Sequence, residues 1–170
     1  NKSFNPGRAA SNGLFAAIAS ATTIHDIKRQ TSEARAELVG SLVAQSSEPA
    51  VVWCDTDYEA DALRKVMPNA IEVRGSMPTE HKESNLEAFA SGEARVLITK
   101  PSICGFGLNW QHCNRMIFAG RTFSYESWYQ AVRRCWRFGQ TREVFAHVIV
   151  AQGEDQIASV IARKSDDHIR

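Results

Sequence analysis

Residues 50–57 read Ala50-Val51-Val52-Trp53-Cys54-Asp55-Thr56-Asp57, a continuously apolar run followed at once by side chains whose oxygen atoms can cap a helix. A short strand that is apolar at every position is typical of a parallel sheet covered on both faces. The residues that follow carry Leu63 and Val66 on a helical pattern. The stretch therefore predicts one strand leading directly into one helix.

The same alternation continues on both sides of this unit. Further strands are predicted at 71–73, 96–99, 116–119 and 144–150, and further helices at 31–45, 78–90, 124–138 and 154–164. The apolar stripe of the first helix consists of Ala34, Leu38, Val39, Leu42 and Val43. The order predicts an α/β fold with a mainly parallel sheet of five or six strands and helices on both faces. The functional edge should lie at the carboxyl ends of the strands.

Composition narrows the class of protein. The chain has 170 residues, 44% apolar and 23% charged, which is typical of a packed globular domain. Its formal charge of +1 does not mark it as a nucleic-acid binder, so any basic site must be local. No apolar stretch is long enough to span a bilayer, and the four cysteines have no zinc-like spacing, so we expect no membrane role, no bound metal and reduced thiols.

The chain opens with Asn1, and we interpret it as a fragment of a longer protein. We expect residues 1–45 to be a lead-in with one helix, continuing from a missing upstream region, and residues 46–170 to be the domain proper. The fragment should be monomeric and work in the cytoplasm of a bacterial cell or a phage-infected host.

The predicted helix at 124–138 has two unlike sides. At 100° per residue, one side is aromatic and aliphatic and is expected to face the core. It consists of Tyr125, Trp128, Tyr129, Val132 and Trp136. The opposite side carries Gln130, Arg133, Arg134 and Arg137. Between Arg121 and Arg142 there are five arginines, no lysine and one acid, a local charge of +4. Such a surface suits phosphate, because guanidinium donors have a fixed forked geometry, although a solvated basic face would look the same.

The segment 130–140, Gln-Ala-Val-Arg-Arg-Cys-Trp-Arg-Phe-Gly-Gln, closely resembles motif VI of the superfamily-two helicases, most of all Swi/Snf-like translocases and related phage helicases. Thr99-Lys100 with the loop 105–109 resembles motif V of that family. Residues 51–63 lie where motif IV would, and the segment 74–76 resembles the one that follows motif IV. The resemblance covers about 50–150 in the family's order.

The resemblance implies a RecA-like second lobe of an ATP-driven nucleic-acid motor, in which ATP and Mg²⁺ are bound mainly by the missing first lobe. By position, Arg137 is the arginine finger on the γ-phosphate and Arg134 its partner, with Gln130 and Gly107 also at the nucleotide. Residues implied to contact the nucleic-acid backbone are Arg74, Ser76, Thr99, Lys100, Gly105 and Asn109. DNA is the expected track in preference to RNA.

The sequence departs from the family at Arg121 and Arg133, where acids are common, so the roles of these two arginines stay open. It contains no Gly-x-x-x-x-Gly-Lys-Ser/Thr and no Asp-Glu box, so the fragment should not hydrolyse ATP alone.

Other readings of the same residues remain. The chain could be a non-enzymatic nucleic-acid-binding or interaction module whose parent lacks the motor motifs. Asp55 and Asp57 after a strand resemble the nucleophile and acid/base of haloacid-dehalogenase-like phosphatases, although both suit helix caps equally. Cys104, His112 and Cys113 could form a metal site, and Trp110 could stack on a base.

Overall fold

The computed structural model describes residues 22–23, 25–103, 109–120, 124–152 and 154. The chain divides into two compact units, one spanning Thr31–Val150 and the other combining Asn1–Gln30 with Ala151–Arg170. In the second unit, residues 25–30 are helical, and the helix predicted at 154–164 lies outside the described residues apart from Glu154. None of the helices in the described ranges is long and apolar enough to cross a membrane.

The unit Thr31–Val150 alternates helices and strands as the sequence predicts. Its elements are α1 (Ser32–Ala44), β1 (Ala50–Trp53), α2 (Asp57–Val66), β2 (Ile71–Val73), α3 (Thr79–Ala90), β3 (Val96–Thr99), β4 (Arg115–Phe118), α4 (Tyr125–Cys135) and β5 (Phe145–Val148). The helix α1, expected to belong to the lead-in, lies inside this unit.

The five strands form one sheet in the order β2-β3-β1-β4-β5, and every pair is parallel. Val52 lies at the centre, opposite Ile98 on one side and Ile117 on the other. All four residues of β1 and of β3 are buried, which explains why these strands are apolar throughout. The predicted fold class, a RecA-like α/β domain with a parallel sheet, is confirmed.

Side chains of β1 alternate between two apolar clusters on opposite faces of the sheet. Val52 and Cys54 pack in a cluster with residues of α1 and α2, whereas Val51 and Trp53 pack in a cluster with residues of α3 and α4. The second cluster is rich in aromatic rings, and Trp110 lies in it with its ring centroid 5.8 Å from that of Trp53. The central strands of the sheet are therefore covered on both faces, as a three-layer domain requires, whereas the edge strand β5 is exposed.

The buried stripe of α1 differs from the expected one. Leu38 is 50% exposed, while Ala36, Val39 and Val43 are buried together with Arg35. The helix is thus rotated so that a guanidinium, and not a leucine, enters the core. The periodicity of apolar residues could not show this, because the partner of Arg35 lies on another helix.

That partner is Glu59, and the pair is nearly inaccessible to solvent, with side chains 5% and 2% exposed. Arg35 Nη1 donates to Glu59 Oε1 at 2.9 Å and also to the carbonyl oxygen of Ala119, and Arg35 Nε donates to Thr31 Oγ1 at 3.1 Å. Glu59 Oε2 accepts from the backbone N–H groups of Asp55 at 2.9 Å and Thr56 at 3.2 Å. One ion pair therefore joins α1, the start of α2 and the end of β4.

The start of α2 is a capping box, as the oxygen-bearing residues at 55–57 suggested. Thr56 is the N-cap residue, and its side chain accepts from the N–H of Glu59 while Glu59 reaches back to the cap. The Glu59 carboxylate thus satisfies the backbone at the end of β1 and the buried guanidinium at once. Loss of the guanidinium would leave that carboxylate buried without its counter-charge.

We predict that Arg35→Met lowers the free energy of unfolding of the chain by about 3–5 kcal/mol, because it strands a buried carboxylate. The double variant Arg35→Met/Glu59→Gln should recover part of this loss. Urea unfolding followed by circular dichroism measures both.

Lys65→Ala is the control, since Lys65 and Glu33 form an ion pair of 3.7 Å with side chains 74% and 79% exposed. It should change the stability by less than about 1 kcal/mol. An Arg35→Met variant within about 1 kcal/mol of the parent would contradict the role given to the buried pair.

Candidate nucleotide and nucleic-acid interface

The carboxyl edge of the sheet carries several of the residues that the sequence singled out. Because all five strands are parallel, the residues after each strand lie along one edge. Arg74 follows β2 and Lys100 follows β3, and these strands are neighbours. The structure therefore brings the two cations to adjacent positions on this edge.

Both cations lie against acids of α2. Lys100 Nζ is 2.8 Å from Asp57 Oδ1, and the Lys100 ammonium holds the pKa of Asp57 below its ordinary value. Arg74 Nη2 is 2.6 Å from Asp61 Oδ1, and Arg74 Nε contacts the carboxylate of Glu72. The hydrogen bond that Arg74 donates to Glu72, and secondly the one to Asp61, raise the pKa of the Arg74 guanidinium above its ordinary value.

The other residues predicted to contact the nucleic-acid backbone differ in their exposure to solvent. Thr99 is buried, and its hydroxyl donates to the carbonyl oxygen of Val73 at 3.1 Å, so the side chain joins β3 to β2 instead of facing solvent. Ser76 and Asn109 are exposed. The motif V glycines Gly105 and Gly107 lie outside the described residues, as does Arg121.

Helix α4 begins where the sequence predicts but ends earlier than expected, at Cys135 instead of residue 138. Ser124 is its N-cap, and the Ser124 side chain accepts from the N–H of Ser127 at 3.2 Å. The buried residues of α4 are Ala131 and Cys135, both small, which lets the helix lie close to the sheet. Trp128 contributes a partly buried ring, 4.4 Å from that of Phe118 and stacked on it.

The prediction that the aromatic side of α4 faces the core holds for Trp128 and Val132, which pack against the aromatic-rich cluster, and is wrong for the other three residues. Tyr125 is 78% exposed, Tyr129 is 44% exposed and Trp136 is 64% exposed. Large aromatic side chains dominated the pattern, but the close approach of the helix to the sheet selects the small residues. Trp110, which the sequence offered as a base-stacking residue, is instead fully buried and cannot stack on a ligand.

The opposite side of α4 is solvent-facing, as predicted. Gln130 is exposed and donates to Glu126 Oε1 at 3.2 Å, and Arg133 lies over the Tyr129 ring, 5.3 Å from its centroid. Arg134 is half-buried and Arg137, just beyond the helix, is exposed. Within the described residues, the guanidinium groups of Arg133 and Arg134 have no carboxylate partner.

Gln140 holds this segment in place, a role that the sequence pattern did not predict. Its side-chain N–H groups donate to the carbonyl oxygens of Gln111 at 3.0 Å, Cys135 at 3.2 Å and Cys113 at 3.3 Å. Gly139 has a φ of 92°, and a Cβ there would lie 2.7 Å from the Gln111 amide nitrogen. A glycine is therefore required before Gln140. The adjacent residues Gly139 and Gln140 are the signal in the sequence that could have indicated this contact.

The residues after the motif V loop support the segment that carries motif VI. The N–H of Trp110 donates to the carbonyl oxygen of Arg134 at 3.1 Å, and Gln111 Nε2 donates to that of Phe138 at 2.5 Å. The residues after the motif-V-like loop are thus joined to the motif-VI-like segment by one hydrogen bond between backbone groups and one from a side chain to the backbone.

The phosphatase-like hypothesis finds no support in the geometry, and the metal hypothesis depends on Cys104, which lies outside the described residues. Asp57 lies against Lys100, and the N–H of Asp55 donates to Glu59, as expected of residues at a helix start. Across the described ranges, no three His, Cys, Asp or Glu side chains are grouped so that they could hold a metal ion. Cys54 is buried, and this burial raises the pKa of its thiol, which keeps it protonated.

Comparisons with known proteins agree with this architecture. Residues 33–139 match the family model "helicase conserved C-terminal domain". The chain is 30% identical over 95 residues to eukaryotic initiation factor 4A of Dictyostelium discoideum, an alignment that covers 54% of this chain and 23% of that protein. The chain thus spans about a quarter of the curated relative that it matches.

Two solved structures share the fold. The C-terminal part of the Fun30 ATPase domain has a TM-score of 0.62 at 20% identity, covering 76% of this chain and 43% of that one. The C-terminal domain of the DEAD-box protein Dbp5 has a TM-score of 0.60 at 15% identity, covering 78% and 79%. Together with the family match, the parallel sheet and the order of its elements, these similarities show that the chain belongs to the helicase conserved C-terminal domain family, as the second RecA-like lobe of a superfamily-two helicase.

Proposed function

We propose that this chain is the second motor lobe of an ATP-dependent nucleic-acid helicase or translocase of the Swi/Snf-like branch, with DNA as its track. The observation that carries the proposal is the guanidinium-rich, solvent-facing side of α4 and its continuation at Arg137. The ending Arg137-Phe138-Gly139-Gln140 favours the Swi/Snf-like branch. The two structural similarities are nearly equal in strength, so the fold alone does not separate the branches.

The residues present suit a nucleotide phosphate group. In the proposed complex, ATP lies between this lobe and the first lobe of the same protein, with Arg137 and Arg134 directed at the γ-phosphate. Forked guanidinium donors match phosphate oxygens, and the lack of an acid paired with Arg134 in the described part of the chain leaves its charge available. Bound ATP supplies the phosphoryl group, and Mg²⁺ would be held mainly by the first lobe.

Each residue of the proposed site then has one task. Arg137 places positive charge where negative charge develops on the transferred phosphoryl group, and Arg134 binds oxygen atoms of the same group. Gln130 borders the same surface. Gln140 and Gly139 act as positioning residues, because their contacts with Gln111 and the end of α4 determine where the segment carrying Arg137 lies.

We propose that the carboxyl edge of the sheet holds the nucleic-acid backbone. Lys100 and Arg74 supply charge, Ser76 and Asn109 supply exposed polar side chains, and Thr99 sets the end of β3 through its bond to Val73. These contacts are to phosphate and sugar, so they would not read sequence. The hydrogen bonds between the two motif segments would couple this edge to Arg137.

The purified chain is expected to show no ATP hydrolysis above background, because it contains neither the phosphate-binding loop nor the acidic box. Phosphate release measured with and without nucleic acid tests this. Hydrolysis that a substitution within the chain abolishes would contradict the division of labour between two lobes.

In the full-length protein that carries this lobe, Arg137→Ala should reduce nucleic-acid-stimulated ATP turnover by roughly 10³-fold or more, since an arginine finger contributes about 10³–10⁵ in rate. Arg137→Lys should restore little, because an ammonium does not reproduce the fork. Binding of nucleic acid without nucleotide should stay nearly unchanged.

Lys65→Ala removes one positive charge at the far end of α2 and is the matched control for Arg137→Ala. It should leave turnover unchanged. If Arg137→Ala instead weakens nucleic-acid binding and keeps turnover, the arginine surface binds the track directly, which is the non-enzymatic alternative. Near wild-type turnover and binding would refute both assignments.

The purified chain should bind single-stranded DNA weakly, without sequence preference, and more weakly as salt rises, because the proposed contacts are to phosphate. Lys100→Ala should lower the affinity and reduce the slope of log affinity against log salt, by at most about one. Fluorescence anisotropy with labelled DNA and RNA of equal length measures this. Binding that keeps its strength from about 50 to 500 mM salt would rule out backbone contacts, and tighter RNA binding would overturn the preference for DNA.

A further inference from the structure

The two cations proposed to bind the track are already paired with carboxylates of their own chain. Asp57 and Asp61 lie four residues apart on α2, hence on one side of the helix. Asp57 pairs with Lys100 and Asp61 with Arg74. One acidic side of α2 therefore neutralises both basic residues of the adjacent strand ends.

The acids are the exposed members of these pairs. The side chains of Asp57 and Asp61 are 66% and 61% exposed, whereas those of Lys100 and Arg74 are 22% and 23% exposed. The carboxylates thus occupy the solvent side of the cations, which is the side from which a phosphate would approach. A carboxylate and a phosphate oxygen make the same kind of charge-assisted hydrogen bond, so they compete for the same donors.

Arg74 has a second acid partner that behaves differently. Glu72 is only 9% exposed and contacts Arg74 Nε, and it also lies 3.9 Å from Arg64 Nε. Glu72 therefore anchors the base of the guanidinium, while Asp61 contacts the Nη2 end. Only the exposed contact can be exchanged without burying an unpaired charge.

We propose that Asp57 and Asp61 are built-in competitors of the nucleic-acid backbone: they hold Lys100 and Arg74 in place in the free lobe, and phosphates displace them on binding. The inference rests on the proposed function of this edge. Exposed ion pairs are weak, so a phosphate can displace the carboxylates, yet they lower the affinity of the free lobe for any polyanion. The acids would thereby keep the lobe from holding nucleic acid tightly by itself.

This arrangement affects the salt dependence of binding. A free cation that binds phosphate releases counterions from the nucleic acid, which steepens the salt dependence. When Lys100 binds a phosphate, its ion pair with Asp57 breaks. The exposed carboxylate of Asp57 then binds a cation from solution. Binding through a neutralised lysine should therefore show a shallower slope than binding through an unpaired lysine.

The test compares Asp57→Asn with the purified chain by anisotropy, using labelled oligothymidine across a series of salt concentrations. We expect Asp57→Asn to bind about two- to fivefold more tightly at low salt, with a steeper slope. Glu37→Gln makes the same change of net charge at an exposed residue of α1 and should have a smaller effect. Equal gains from Asp57→Asn and Glu37→Gln would show that net charge alone acts, which overturns the inference.

The same comparison in a Lys100→Ala chain makes the test specific to the ion pair between Asp57 and Lys100. In a Lys100→Ala chain, Asp57→Asn should gain no more than Glu37→Gln does, because the released partner is gone. A full gain in that background would overturn the proposed competition. Asp61→Asn, tested in the same way against Arg74→Ala, serves if Asp57→Asn fails to fold, since Asp57 is also the first residue of α2.

The outcomes separate this inference from the proposed function. If Lys100→Ala weakens binding but Asp57→Asn behaves like Glu37→Gln, the edge binds nucleic acid and the acids do not compete. If Lys100→Ala binds as well as the parent chain, the edge is not the nucleic-acid surface, and the proposed contacts and the inference both fail.

Discussion

The structure depends on one guanidinium that enters the core. Arg35 connects α1 to the start of α2 through Glu59 and to the end of β4 through the carbonyl of Ala119. Two buried charges are tolerated only because each has its partner and further hydrogen bonds, so the geometry of the three segments is tightly specified. The same carboxylate caps α2, which fixes where Asp57 stands and hence which acid faces Lys100. A core contact thereby sets the electrostatics of the functional edge.

A second constraint acts on the opposite face of the sheet. The small residues Ala131 and Cys135 bring α4 close to β4, and the aromatic side chains of Tyr125 and Tyr129 remain at the surface. Gln140 then satisfies the carbonyl of Cys135 at the end of the helix together with two carbonyls from the loop before β4. The arginines proposed to face the nucleotide are thus placed by contacts of residues that are not themselves basic. Rigid support of this kind is what positions a charged group for phosphoryl transfer.

The cations of the lobe fall into two groups with different surroundings. Lys100 and Arg74 are held by exposed acids, which suits contacts that form and break as a motor moves along its track. Arg134 is half-buried and, within the described residues, has no acid partner. Such a group suits a fixed anion like a bound nucleotide, because no internal competitor has to be displaced. The distribution of acids therefore separates the proposed track surface from the proposed nucleotide surface.

The sequence by itself determined the alternation of elements, the parallel sheet, the strand order along the chain and the exposed arginine side of α4, because continuous apolar runs and helical periodicity follow from local geometry. It could not place Arg35 in the core, because its partner Glu59 lies 24 residues away on another helix. Nor could it show that Trp136 is exposed or that Lys100 and Arg74 are paired, since these depend on how closely helices approach the sheet and which residues meet across strands. Burial and pairing are decided by distances between segments that only the tertiary structure sets.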